Sequence, residues 1–146
     1  MKSADLTPVI EHRQHLEDEA QRAVAQVRAE LQRVDDAIEA ANGALVELRA
    51  LRRREITEGI SPPRLGLLGQ WGEELHRRRE NLGRRRVRVE RAVHEAKTRL
   101  LAAHRELRKC ELLQERLLRE ERARLDKLEQ KMIEEMTVMR SGHPRS

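Results

Sequence analysis

Along the first third of the chain, apolar residues fall at steps of four and three: Ala20, Val24, Val27, Leu31, Val34, Ile38, Ala41, Leu45 and Leu48. A repeat averaging 3.5 residues gathers these side chains into one stripe of an α-helix, the kind of stripe that pairs with another in a coiled coil. Thr7-Pro8 supplies a start signal, with Thr at the N-cap and Pro at the first helical position. Asn42-Gly43 is a soft spot inside the stripe, where Gly costs about 1 kcal/mol relative to Ala, but the register runs through it. The pattern predicts a first helix over about residues 7–58.

Ser61-Pro62-Pro63 follows Gly59. A Pro pair removes backbone donors and restricts the preceding residue, and Gly66, Gly69 and Gly72 weaken the helical signal after it. These residues predict a turn over about 59–72. A second helix is predicted over about 73–140, with a seam of Leu82, Val89, Val93, Ala96, Leu100, Ala103, Leu107 and Cys110, and Arg86 in one seam slot. Past Cys110 the spacing reads as a frame slip: Leu113, Leu117 and Leu118 lead to Leu125, Leu128, Met132, Met136 and Met139. A skip of that kind relaxes a supercoil. Gly142 and Pro144 are stop signals.

The predicted fold class is all-α: two long helices forming a single antiparallel coiled-coil hairpin. With a turn centred between residues 61 and 65, Leu31 would face about residues 91–99 and Leu6 about residues 116–124. The second helix would outrun the first by about 15–25 residues, on the order of 22–38 Å. That overhang carries the stripe from Leu125 to Met139 with no intramolecular partner, which is the description of a docking surface.

Composition agrees with a narrow seam. The chain has 146 residues, no Phe or Tyr, one Trp, and 39% charged residues. So little bulky apolar material cannot fill a thick core, but a seam needs only about two apolar positions in seven. No stretch reaches the length of apolar sequence that spans a membrane. The N-terminal Met-Lys-Ser-Ala-Asp lacks the apolar core of a signal peptide, so a cytoplasmic location is expected. Charge is uneven: residues 1–48 carry net −5, residues 49–109 net +10, and residues 110–146 net 0. An acidic first arm against a basic second arm favours antiparallel pairing, at about 0.2–1 kcal/mol per exposed pair.

The chemistry of sites adds exclusions. His12 and His15 share a helix face, but no third ligand lies at metal-binding spacing, so no metal site is expected. Gly66, Gly69 and Gly72 lack the strand, the Lys and the Ser/Thr of a phosphate loop. No nucleophile, base and orienter fall together, and no cofactor, small-molecule substrate or catalysis is expected. The run Arg77, Arg78, Arg79, Arg84, Arg85, Arg86 and Arg88 reads either as a patch for nucleic acid or anionic membrane, or as a solvated face. No aromatic interleaves it for base stacking, which argues against nucleic acid. Ile60, Leu65, Leu67, Leu68, Trp71 and Leu75 concentrate apolar surface near the turn. They are either a partner site or a plug folded over the hairpin end, and both readings stay open.

Two segments carry a family likeness. Leu6-Thr7-Pro8-Val9-Ile10-Glu11-His12-Arg13, followed by Glu17-Asp18-Glu19-Ala20, is similar to the opening of the FliJ family of flagellar type III export proteins. Glu129-Gln130-Lys131-Met132-Ile133-Glu134-Glu135-Met136 is similar to that family's C-terminal Glu-Gln-Lys-x-Leu-Asp-Glu segment. The chain departs from the pattern at Ala4 and Leu6, where members often carry Phe, and at Glu134, where they often carry Asp. A more distant likeness is to the YscO-type stalk proteins of injectisomes. The resemblance implies a non-enzymatic stalk whose paired termini enter a hexameric export ATPase ring. Leu125, Leu128, Gln130, Lys131, Met132, Glu134, Glu135, Met136 and Met139 would dock there. Leu65, Leu67, Leu68, Trp71 and Leu75 would meet the membrane export gate protein. Export chaperones are further implied partners, and the implied location is peripheral, at the cytoplasmic face of the inner membrane.

Overall fold

The computed structural model describes residues 1–142. It is an all-α antiparallel coiled-coil hairpin, with α1 at Thr7–Glu58 and α2 at Pro62–Ser141. A 3-10 turn, Ser3–Leu6, leads directly into α1. The chain divides into two compact units, Ala20–Leu100, and Met1–Glu19 with the chain from Leu101 onward. Pro144, expected to help end the second helix, lies outside the described residues.

In the unit Ala20–Leu100 the connection is far shorter than the predicted 59–72. Gly59 takes φ +90°, the left-handed conformation that ends a helix at low steric cost. The Ser61 carbonyl then accepts from the Leu65 N–H at 3.0 Å, opening α2. Pro62 and Pro63 occupy the first helical positions, where a backbone donor has no intrahelical acceptor and its loss costs nothing. The Pro pair starts the second helix; the expectation of a start near residue 73 is corrected.

This earlier start extends the seam. Leu65, Leu68, Gly72 and Leu75 continue the steps of three and four backward from Leu82, and Leu75 is buried. Along the seam Val24, Val34, Ala41 and Leu45 are buried from α1, as are Val89, Val93 and Ala96 from α2. Full burial of a Val or Leu side chain contributes about 1.5–3 kcal/mol, several times an exposed ion pair. The seam therefore holds the helices together, while flanking charges select the register. Arg85 meets Glu30 at 3.3 Å, and Arg86 donates through Nε to Asp35 and through Nη1 to Glu90. The hydrogen bond to Asp35, and then its charge, raise the Arg86 pKa above the ordinary value. With Asp35 opposite Arg86 and Leu48 opposite Gly72, Leu31 faces α2 at about residue 90, at the turn-side edge of the expected 91–99.

In the unit containing both ends of the chain, Leu6, Ile10 and Leu107 are buried, with Cys110, Leu113 and Leu117 packed against them. Ser3 lies opposite Glu121 and Thr7 opposite Gln114, which brackets the segment facing Leu6 between them, overlapping the expected 116–124. The frame slip past Cys110 is also corrected. Gln114, Leu117 and Glu121 continue the same steps and are half-buried, as are Arg13 and Glu17 on α1 between Ile10 and Ala20. The register is unbroken, but polar residues fill some of its slots. Thr7 has helical angles, so it is not the N-cap expected of it. The chain start is closed instead by the Lys2 N–H donating to Asp5 Oδ2 at 2.8 Å.

Two glycines test this packing. An added Cβ at Gly43 meets nothing within 4 Å, whereas at Gly72 it lies 3.3 Å from Leu48 Cδ2. Gly43→Ala should raise stability by about 1 kcal/mol in urea unfolding followed by circular dichroism. Gly72→Ala should gain less than Gly43→Ala or lose stability, because the Leu48 side chain must give way.

Candidate docking surfaces

The first surface begins where the seam ends in polar contacts. The Ser3 N–H donates to Glu121 Oε1 at 2.7 Å and the Ser3 hydroxyl to Oε2 at 2.8 Å. Gln114 Nε2 donates to the Ser3 carbonyl at 3.1 Å and to Thr7 Oγ1 at 3.3 Å. These bonds satisfy backbone groups at the start of α1 that have no helical partner. They also hold the Glu121 carboxyl below its ordinary value of 4.5, the backbone bond from Ser3 contributing most.

Past this clamp no described residue of α1 covers α2. Every residue from Arg122 to Gly142 is exposed, and α2 runs helical to Ser141, about 20 residues or about 30 Å. Leu125, Leu128, Met132, Met136 and Met139 lie within about 80° of the helix circumference, taking about 100° per residue. Leu125 is 65% exposed, Met132 63% and Met139 74%. Gln130, Lys131, Glu134 and Glu135 are exposed around them. Ile133 and Val138 add apolar surface off the stripe, at positions that break the step pattern and so carry no periodic signal in the sequence.

The second surface lies in the unit Ala20–Leu100, and the predicted cluster divides there. Leu65 and Leu68 are half-buried and Leu75 is buried, all at seam positions, whereas Leu67 and Trp71 point outward. Trp71 is 54% exposed and walls a groove of about 760 Å³ on α2 with Arg77, Arg78, Asn81, Arg85 and Arg88. Trp71, Arg78 and Arg85 stand seven residues apart, a spacing that places them on one face. Glu74 also lines the groove, but among the described residues Arg77, Arg78 and Arg88 form no ion pair, so the groove keeps a net positive charge beside an aromatic ring. The Arg run and Trp71, separate features in the sequence, are joined by this common seven-residue spacing.

Compared with known proteins, residues 1–146 match the family model described as Flagellar FliJ protein. The chain belongs to the FliJ family. It is therefore a flagellar export-related protein, and the family is a non-enzymatic one. No curated protein and no solved structure matched the chain. Among the described residues of this FliJ-family chain, no group of acidic, His and Cys side chains is placed to hold a metal ion. No described helix is long and apolar enough to cross a membrane.

The clamp carries a pH signature. A lowered carboxyl pKa means that the Glu121–Ser3 bonds contribute stability in full above the ordinary value of 4.5, and the contribution is lost as pH falls through the lowered value. The Ser3 amide proton shift should titrate with a midpoint below 4.5. In Glu121→Gln that titration should vanish; its persistence would assign the titration to another group.

Proposed function

We propose that this chain is a coiled-coil stalk of flagellar type III protein export, binding the hexameric export ATPase through Leu125–Met139 and the membrane export gate protein through Leu67 and Trp71. The observation that carries the reading is the run Arg122–Ser141, helical and exposed throughout with five apolar side chains on one face. An unpaired apolar stripe on a long helix is the helix-in-groove mode of recognition, read through anchors three, four and seven residues apart. Lys131 and Glu135 flank the stripe and supply polar contacts at its rim, while Gln130 and Glu134 lie on the opposite face of the helix, open to a partner that wraps it. Met side chains suit a partner surface that changes shape, since they repack at low cost.

At the gate-facing surface, Leu67 and Trp71 are the anchors and Arg78, Arg85 and Arg88 attract an acidic partner. Leu65, Leu68 and Leu75 support them from the seam. Export chaperones are further partners, and the chain works in the cytoplasm, peripheral to the inner membrane. Arg78 and Arg88, which form no ion pair among the described residues, favour one second reading, adsorption of the Trp71 face to an anionic membrane.

Replacing Leu125, Met132 and Met139 together by Gln should abolish co-elution with the export ATPase and its stimulation, with helix content within a few per cent of the parent. Retained stimulation would remove the stripe from the interface. Trp71→Ala with Arg78→Ala should weaken capture by the purified gate protein at least tenfold, and the loss should shrink as salt is raised. Vesicle binding without gate binding would favour the second reading.

A further inference from the structure

The apolar stripe is palindromic. Leu125, Leu128, Met132, Met136 and Met139 are separated by three, four, four and three residues, symmetric about Met132. An isologous two-fold interface fits such a pattern, because each apolar residue then meets an apolar residue at its mirror position in the other copy. A regular in-register parallel coiled coil requires alternating steps of three and four, which the central pair of four-residue steps breaks.

The stripe also continues the face that α1 covers. Counting about 100° per residue, Gln114, Leu117 and Glu121 point to the same side of α2 as Leu128 and Met139. From Arg122 onward that track is vacant, and its length equals the length of helix available in a second copy to fill it. A parallel copy would have to run its α2 into the track that α1 already holds before Arg122. An antiparallel copy leaves the first beyond its C-terminal turn and meets no such obstacle.

We infer that two copies of this chain pair antiparallel through residues 122–141 of α2, with Met132 on the two-fold axis. Leu125 then lies beside Met139 of the partner subunit, and Leu128 beside Met136 of the partner subunit. A seat for these methionines exists: a groove of about 340 Å³ lined by Ser3, Ala4, Glu121, Arg124, Leu125 and Leu128, among others. The C-terminal end of the partner's helix arrives at the N-terminal turn Ser3–Leu6, and opposite helix ends attract. Lys131 and Glu135 occupy one flank of the stripe, and antiparallel two-fold pairing brings like flanks together. Lys131 falls about two residues, or about 3 Å of rise, from the level of Glu135 of the partner subunit. Two symmetric ion pairs result. The pairing covers the stripe that the stalk reading assigns to the export ATPase, so it describes a form in which that surface is occupied; it stands whether or not that reading does.

The test uses the full chain with Cys110→Ser and single cysteines introduced by substitution. Under mild oxidation Met132→Cys should crosslink to itself in most of the protein. Leu125→Cys and Met139→Cys should crosslink to each other when mixed, and only weakly to themselves. Light scattering should give twice the monomer mass, and Lys131→Glu should raise the dimer dissociation constant about tenfold, restored by adding Glu135→Lys. A monomer at all concentrations overturns the inference. So does efficient self-crosslinking of Leu125→Cys, which is the parallel arrangement. Unchanged dimerisation after replacing Leu125, Met132 and Met139 by Gln would place the interface elsewhere and overturn it equally.

Discussion

Everything in this fold hangs on a seam one side chain deep. With one aromatic in the chain, there is no core beyond the stripe where α1 and α2 touch. Each buried Val or Leu is worth a few kcal/mol at most, so stability is accumulated in small steps along the interface. A residue slipped by one position would leave the stripe entirely, which makes register the quantity the sequence must specify. In the unit Ala20–Leu100 the specification comes from the tight connection Gly59–Ser61 and from pairs such as Arg86–Asp35 beside the seam. In the other unit it comes from Gln114 and Glu121, which reach across to Ser3 and Thr7.

The apolar repeat was legible wherever the seam slots hold apolar residues, as from Ala20 to Leu48. It became illegible where polar residues take those slots. Gln114 and Glu121 looked like a break in the register because a pattern of apolar positions cannot count a slot filled by hydrogen bonding. The turn was overestimated for a related reason. Proline is a helix breaker in the interior and a helix starter at the first position, and only the chain geometry tells which applies at Pro62. That one ambiguity made Leu65, Leu68 and Leu75 look like a free cluster. The exposed stripe was legible because it follows from a difference in helix length, which survives an error of a few residues.

The end of the seam is as informative as its middle. Glu121 occupies a seam position yet spends both carboxylate oxygens on Ser3, so the last layer closes with hydrogen bonds where further apolar packing is impossible. Beyond it α2 continues although nothing covers it. The paired segment has already met the cost of nucleation, and each further residue adds only a propagation step. Charged residues flanking the stripe keep that segment soluble while leaving its apolar face available. Methionine is prominent on the stripe and largely absent from the seam, as expected of a surface that must fit a partner after folding and not during it.

The central claim is that intramolecular pairing stops at Glu121 while the helix does not. Amide hydrogen exchange of the full chain, at a dilution where scattering reports a monomer, tests it residue by residue. The account predicts strong protection through Leu117, a step down across Glu121 and Arg122, and weak, steadily decreasing protection from Leu125 to Met139. Protection that stays as high at Met136 as at Leu107 in the monomer would contradict it, because a second intramolecular partner would then have to cover the stripe.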